Sequence, residues 1–163
     1  MVGADGARVL REDALSPYDN PGGTLIADDS EVLCLDAYGR FTREGLGLRA
    51  AVNGARFDLA PLRYQDVRIT LSVEGPAQLL LRPASGDPRL VDLGGDAFGP
   101  AFCQLDTEPG ASLELTREDE RITLRVEGES RSCQLAGIRG EIALGLRAVQ
   151  VGTLVRELRV ERL

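Results

Sequence analysis

Between residues 66 and 74, polar and apolar side chains alternate without a break. Val67, Ile69, Leu71 and Val73 form one set, and Asp66, Arg68, Thr70, Ser72 and Glu74 form the other. A period of two marks an extended chain with one buried and one wetted face, because successive side chains of a strand point in opposite directions. The pattern returns at Leu113 and Leu115, at Ile122, Leu124 and Val126, and at Ile142, Leu144, Leu146 and Ala148. Shorter apolar runs at 32–35, 78–81 and 101–105 read as further strands. Clusters of Gly, Pro, Asn, Asp and Ser at 16–23, 85–88, 94–96, 108–110 and 128–130 supply the turns between them. Half-buried strands joined this way pack as antiparallel sheets, so the expected fold is an all-β sandwich or barrel. Without a linker or an internal repeat, residues 1–163 read as a single domain.

Near the C-terminus, Val151, Leu154, Val155 and Leu158 follow i, i+3, i+4, i+7 spacing, which leaves that segment open between helix and strand. Residues 117–121, Arg-Glu-Asp-Glu-Arg, fall between two alternating runs and read as a solvated hairpin tip. Gly45-Leu46-Gly47-Leu48-Arg49-Ala50 spells the dinucleotide fingerprint G-x-G-x-x-A, but no βαβ unit surrounds it, so the match is taken as coincidence. Cys34, Cys103 and Cys133 are isolated. They read as three small buried thiols in a reducing compartment, with a Cys103–Cys133 bridge as the other reading. Residues 1–10 carry no signal-peptide pattern, and no apolar run approaches the roughly 20 residues of a membrane span, so a cytoplasmic setting is favoured.

The chain has no His, no Trp and no Lys, so all 19 basic residues are Arg against 26 acidic ones. Imidazole bases, His-ligated zinc, Ser-His-Asp and Cys-His catalysis, Schiff-base chemistry and the P-loop lysine are all excluded. A formal charge of −7 argues against nucleic acid and anionic membranes as partners.

The second half carries an ordered set of features. Leu113-Glu114-Leu115 leads through a polar tip to Arg121-Ile122-Thr123-Leu124-Arg125-Val126-Glu127-Gly128-Glu129; then come Gly140-Glu141-Ile142-Ala143-Leu144-Gly145-Leu146-Arg147-Ala148 and Val155-Arg156-Glu157-Leu158-Arg159-Val160. This order resembles the hairpin, the "G-x-i-G-L-x-a" strand and the closing "f-r-N-i-r-v" strand of concanavalin A-like lectin/glucanase domains, the laminin-G-like jelly rolls. The first half matches more loosely, through residues 10–13 and 64–73. The resemblance implies an antiparallel jelly-roll β-sandwich and a strand at the C-terminus. Glu157 stands where the family favours Asn, and Val155 where it favours Phe.

Glycosidases of that family place their carboxylates on one strand as E-x-D-x-x-E, a pattern this chain lacks. The expectation is therefore a non-catalytic binding or accessory module. It would act through protein–protein contact, as a subunit or appended domain of a larger assembly, without a cofactor. The alternative is lectin-like carbohydrate binding on the concave sheet. Gln78, Leu80 and Arg82 face away from the core there, and Phe102 and Gln104 join them if 101–105 is a strand. With aromatics at 4% and Phe expected in the core, Tyr18, Tyr38 and Tyr64 remain as sugar platforms. The ligand-binding candidates are Arg82, Gln104, Tyr38 and Tyr64. Asp5, Asp28, Asp29 and Glu31 would be oxygen ligands for calcium, but no D-x-D-x-D-G loop supports this and they are read as solvated turn acids, so no metal is expected.

Overall fold

The computed structural model describes residues 23–27, 32–35, 41–44, 47–58 and 63–163. The first five strands are β1 (Gly23–Ala27), β2 (Val32–Leu35), β3 (Phe41–Glu44), β4 (Gly47–Ala50) and β5 (Arg56–Asp58). The next five are β6 (Val67–Glu74), β7 (Ala77–Pro83), β8 (Arg89–Leu93), β9 (Ala97–Phe98) and β10 (Leu105–Asp106). The last five are β11 (Ser112–Glu118), β12 (Arg121–Val126), β13 (Glu129–Gln134), β14 (Ile142–Ala148) and β15 (Leu154–Arg162). A seven-stranded sheet runs β13-β12-β11-β6-β15-β4-β3, and a four-stranded sheet runs β5-β14-β7-β8. β1 pairs with β2, β9 pairs with β10, and the strand pairings are antiparallel throughout the described residues.

The alternating residues are the reason for this architecture. Ile69, Leu71, Leu115 and Leu124 of the larger sheet and Leu79, Leu81, Leu144 and Leu146 of the smaller one belong to a single buried cluster. The two sheets therefore pack face to face over one core, an antiparallel jelly-roll β-sandwich without helix among the described residues. The C-terminal segment is strand, and its helical spacing has a specific cause. β15 pairs with β6 at Val155↔Val73 and again at Glu157↔Ser72, so Arg156 is an extra, bulged residue. One inserted residue turns a spacing of two into a spacing of three, which keeps both Val155 and Leu158 in the core.

Arg117 corrects the expectation of a solvated tip. It continues the inward face of Leu113 and Leu115 and is 1% exposed. Its guanidinium donates to the carbonyls of Asp119, Gln65 and Ile138, joining three separate segments at one end of the sandwich. Burial lowers its pKa from the ordinary range, while Asp119 and Asp66 act in the opposite direction.

Residues 101–105 are not one strand, a second correction. β9 and β10 form a short hairpin, and Cys103 N–H donates to the Pro100 carbonyl at 2.8 Å across its tip. Gly99 permits this turn: its φ is +136°, and a Cβ there would collide with the Cys103 carbonyl and the Leu124 side chain. The expectation of three free thiols is corrected at the same place, because Cys103 is disulfide-bonded to Cys133 of β13, with Cα atoms 6.6 Å apart. Cys133 lies opposite Ile122, so its side chain emerges on the core side, where the hairpin reaches it. Gly99 also exchanges both backbone hydrogen bonds with Asp92 at 2.9 Å. The hairpin thus bridges the β8 edge of one sheet and the β13 edge of the other.

Candidate functional site

The outer face of the four-stranded sheet carries a line of polar side chains in strict register. Arg56 of β5 lies opposite Arg147 of β14, Arg147 opposite Gln78 of β7, and Gln78 opposite Asp92 of β8. Arg147 Nη2 donates to Gln78 Oε1 at 2.5 Å, and Gln78 Nε2 donates to Asp92 Oδ1 at 3.2 Å. Gln104, from the hairpin, extends the line: its Nε2 donates to Asp92 Oδ2 at 3.1 Å and to the Gly99 carbonyl at 3.1 Å. Its own carbonyl accepts from Arg131 Nη1 at 3.0 Å. At about 4.8 Å per strand, the line spans roughly 15 Å from β5 to β8.

A second interaction crosses the same face two residues further along. Arg82 of β7 donates through Nη2 to Asp58 Oδ1 of β5 at 2.5 Å, although β14 lies between those strands. The bond passes over Gly145, the β14 residue paired with both Asp58 and Leu80. A Cβ at Gly145 would stand 2.5 Å from Asp58 Oδ1, so only glycine leaves room. Arg56 donates to the same Oδ1 through Nε at 3.3 Å and Nη2 at 3.1 Å. Between the two polar lines, Leu80 is buried and Leu90 is exposed.

At the Asp92 end the face opens into a surface groove of about 330 Å³, lined in part by Pro76, Asp92, Gly95, Asp96, Gln104 and Val149. Phe102, at the tip of the disulfide-bonded turn and two residues before Gln104, is 63% exposed. Phe41, Phe57 and Phe98 are buried as expected of Phe. Elsewhere, a second groove of about 350 Å³ is lined by Asp106, Thr107, Glu108, Val126, Glu127 and Glu129. Among the described residues, no group of three or more His, Cys, Asp or Glu is placed to hold a metal ion.

Arg82 and Gln104 do share this face, each already held by a carboxylate. Tyr64 does not reach it: the residue is 0% exposed, its backbone exchanges two 2.8 Å hydrogen bonds with Ile142, and the Arg162 guanidinium carbon sits 4.4 Å from its ring centre. A buried ring offers no platform; among the described aromatic residues Phe102 is the exposed one. Tyr18 and Tyr38 lie outside the described residues, as do the acids considered for calcium, Asp5, Asp28, Asp29 and Glu31. Sequence reasoning passed over Arg147 and Asp92. The signal for Arg147 was present, since it alternates out of phase with Leu144, Leu146 and Ala148.

No family model and no curated protein matches the sequence. Solved structures do match in fold. A proposed glycosyl hydrolase from Parabacteroides distasonis aligns over 78% of this chain and 85% of its own, with a TM-score of 0.59 and 11% identity. Another from the same organism covers 76% of this chain and 90% of its own, at 0.54 and 9%. The Trypanosoma rangeli sialidase, in complex with sialic acid, aligns over 96% of this chain but only 31% of its own, at 0.62 and 10%. The likeness is one of fold. It corrects the expectation of a non-catalytic module working through protein–protein contact, because the solved proteins that share this fold carry the names of glycosyl hydrolases and a sialidase.

Proposed function

We propose that this chain is a carbohydrate-directed sandwich of the concanavalin A-like kind, forming a single unit, and that it takes saccharides on the outer face of the four-stranded sheet. The observation that carries this reading is the in-register polar line Arg147–Gln78–Asp92–Gln104, which ends at an open groove. Sugars present hydroxyls that both donate and accept. A row of alternating amide, carboxylate and guanidinium groups matches such a ligand, and its mutual hydrogen bonds hold each side chain in place before binding. Gln104 and Asp92 hold hydroxyls at the groove, Arg82 keeps Asp58 in position, and the exposed Phe102 ring supplies an apolar surface for a sugar face. The fold neighbours named as glycosyl hydrolases and sialidase support the same ligand class.

The test is a glycan microarray followed by titration calorimetry on the strongest binder. Asp92→Ala and Gln104→Ala are expected to weaken binding at least tenfold while the circular dichroism spectrum is kept. Undiminished binding by both variants, or no binding to any saccharide, would sink the reading.

A further inference from the structure

Arg56 and Arg147 are direct cross-strand partners on adjacent strands of one sheet face, in a chain whose net charge is −7. Like charges in that position sit about 4.5–5.5 Å apart at Cβ and repel, so a sheet normally avoids the arrangement or neutralises both members. Here one member is neutralised. Arg56 is paired with Asp58 at 3.1 Å, and that carboxylate also carries Arg82 at 2.5 Å. Arg147 has no acidic side chain within 4.0 Å among the described residues; its hydrogen bond goes to the neutral amide of Gln78. At the β5 end three guanidiniums, from Arg56, Arg82 and Arg147, therefore share one carboxylate, Asp58, while Asp92 and Asp96 lie at the groove end. Positive charge is concentrated beside Arg147 on a protein that is acidic overall. A guanidinium has five N–H donors in a planar fork, and the single bond from Arg147 Nη2 leaves a fork edge for a two-oxygen anion.

We propose that the saccharide taken by this face is anionic, and that its acidic group sits on Arg147 beside Arg56. This rests on the carbohydrate reading above and narrows it to sugars bearing a carboxylate or a sulfate. An anion at Arg147 relieves the cross-strand repulsion, while the rest of the ligand follows Gln78, Asp92 and Gln104 toward the groove. From β14 to β8 that path is roughly 10 Å, about two sugar rings long. Neutral saccharides meet the same hydroxyl-binding groups but leave the repulsion in place.

The test compares matched neutral, uronate-bearing, sialylated and sulfated oligosaccharides by microarray and calorimetry at two salt concentrations. The wild-type chain is expected to prefer an acidic member over its neutral match at least tenfold, and less so at high salt. Arg147→Gln is expected to bring that ratio close to one with the melting temperature kept. The carboxylate and sulfate arms show which anion the fork selects. Equal affinity for acidic and neutral members, or an unchanged ratio in Arg147→Gln, overturns this inference and leaves the carbohydrate reading standing. Binding of no oligosaccharide overturns both.

Discussion

Replacing Gly145 with alanine tests how the outer face of the four-stranded sheet is assembled. In a strand interior, alanine is normally the more stable residue by about 0.5–1 kcal/mol, because glycine loses more backbone freedom on folding. At this position the new Cβ would stand 2.5 Å from Asp58 Oδ1 and 3.3 Å from the Phe57 carbonyl. Carbon contacts need about 3.5 Å, so the carboxylate must retreat by about 1 Å. The Arg82–Asp58 bond, now 2.5 Å, then no longer holds. The pair is half-buried, with side chains 36% and 16% exposed, which places its worth between an exposed and a buried ion pair, about 1–2 kcal/mol. The clash outweighs the backbone gain, and Gly145→Ala should destabilise the protein by about 1 kcal/mol. In an Asp58→Ala background the 2.5 Å obstacle is gone and only the 3.3 Å approach to the Phe57 carbonyl remains, so the same substitution should be close to neutral. Urea unfolding of the four-member cycle, with midpoints compared at constant slope, reads the difference. An equal loss in both backgrounds would refute the reasoning, because the carboxylate would then not be what Gly145 makes room for.

Two further outcomes follow from the edges of the sandwich. The Cys103–Cys133 bond closes a loop of sequence separation 30, so reduction, or the double substitution to Ser, should lower unfolding stability by roughly 3–4 kcal/mol; matching urea midpoints with and without reductant would contradict this. Glu120 is held below its ordinary pKa of 4.5 first by the Gly137 N–H and then by the Arg139 side chain, against a smaller opposing effect of burial. A carboxyl with a depressed folded pKa adds stability that is present above its unfolded value and is lost as pH falls through the folded one. NMR titration should place the Glu120 midpoint below 4.5 and Arg139→Ala should raise it; a midpoint at or above 4.5 would count against the contact.

The strands that carry the core were legible because burial of one face imposes a period of two; Val67 to Val73 keep it without exception, and Ile142 to Ala148 break it only at the buried Gly145. Strand β13 was not legible: nearly all its residues are exposed, so no apolar period marks it, and Gly128-Glu129-Ser130 looked like a turn. The turn is real but tighter. Glu127 and Gly128 hold positive φ values of 46° and 85°, and the chain re-enters the sheet at Glu129. Arg117 was misplaced because alternation predicts which face a residue takes, not whether three carbonyls wait there to satisfy a guanidinium.

By itself the sequence determined an all-β fold of sandwich or barrel kind, the inward-facing residues, and the exclusion of imidazole and lysine chemistry. These follow from local periodicity and from which side chains exist. It also placed Gln78, Leu80 and Arg82 on the face away from the core. Only the tertiary structure decided what that face is, because the polar line joins strands far apart in sequence: Arg56, Arg147, Gln78 and Asp92 become neighbours through register alone. The disulfide and the Asp58–Arg82 bond over Gly145 depend in the same way on contacts between distant segments. No period along the chain encodes such contacts, so the fold was written in the pattern and the site in the pairing.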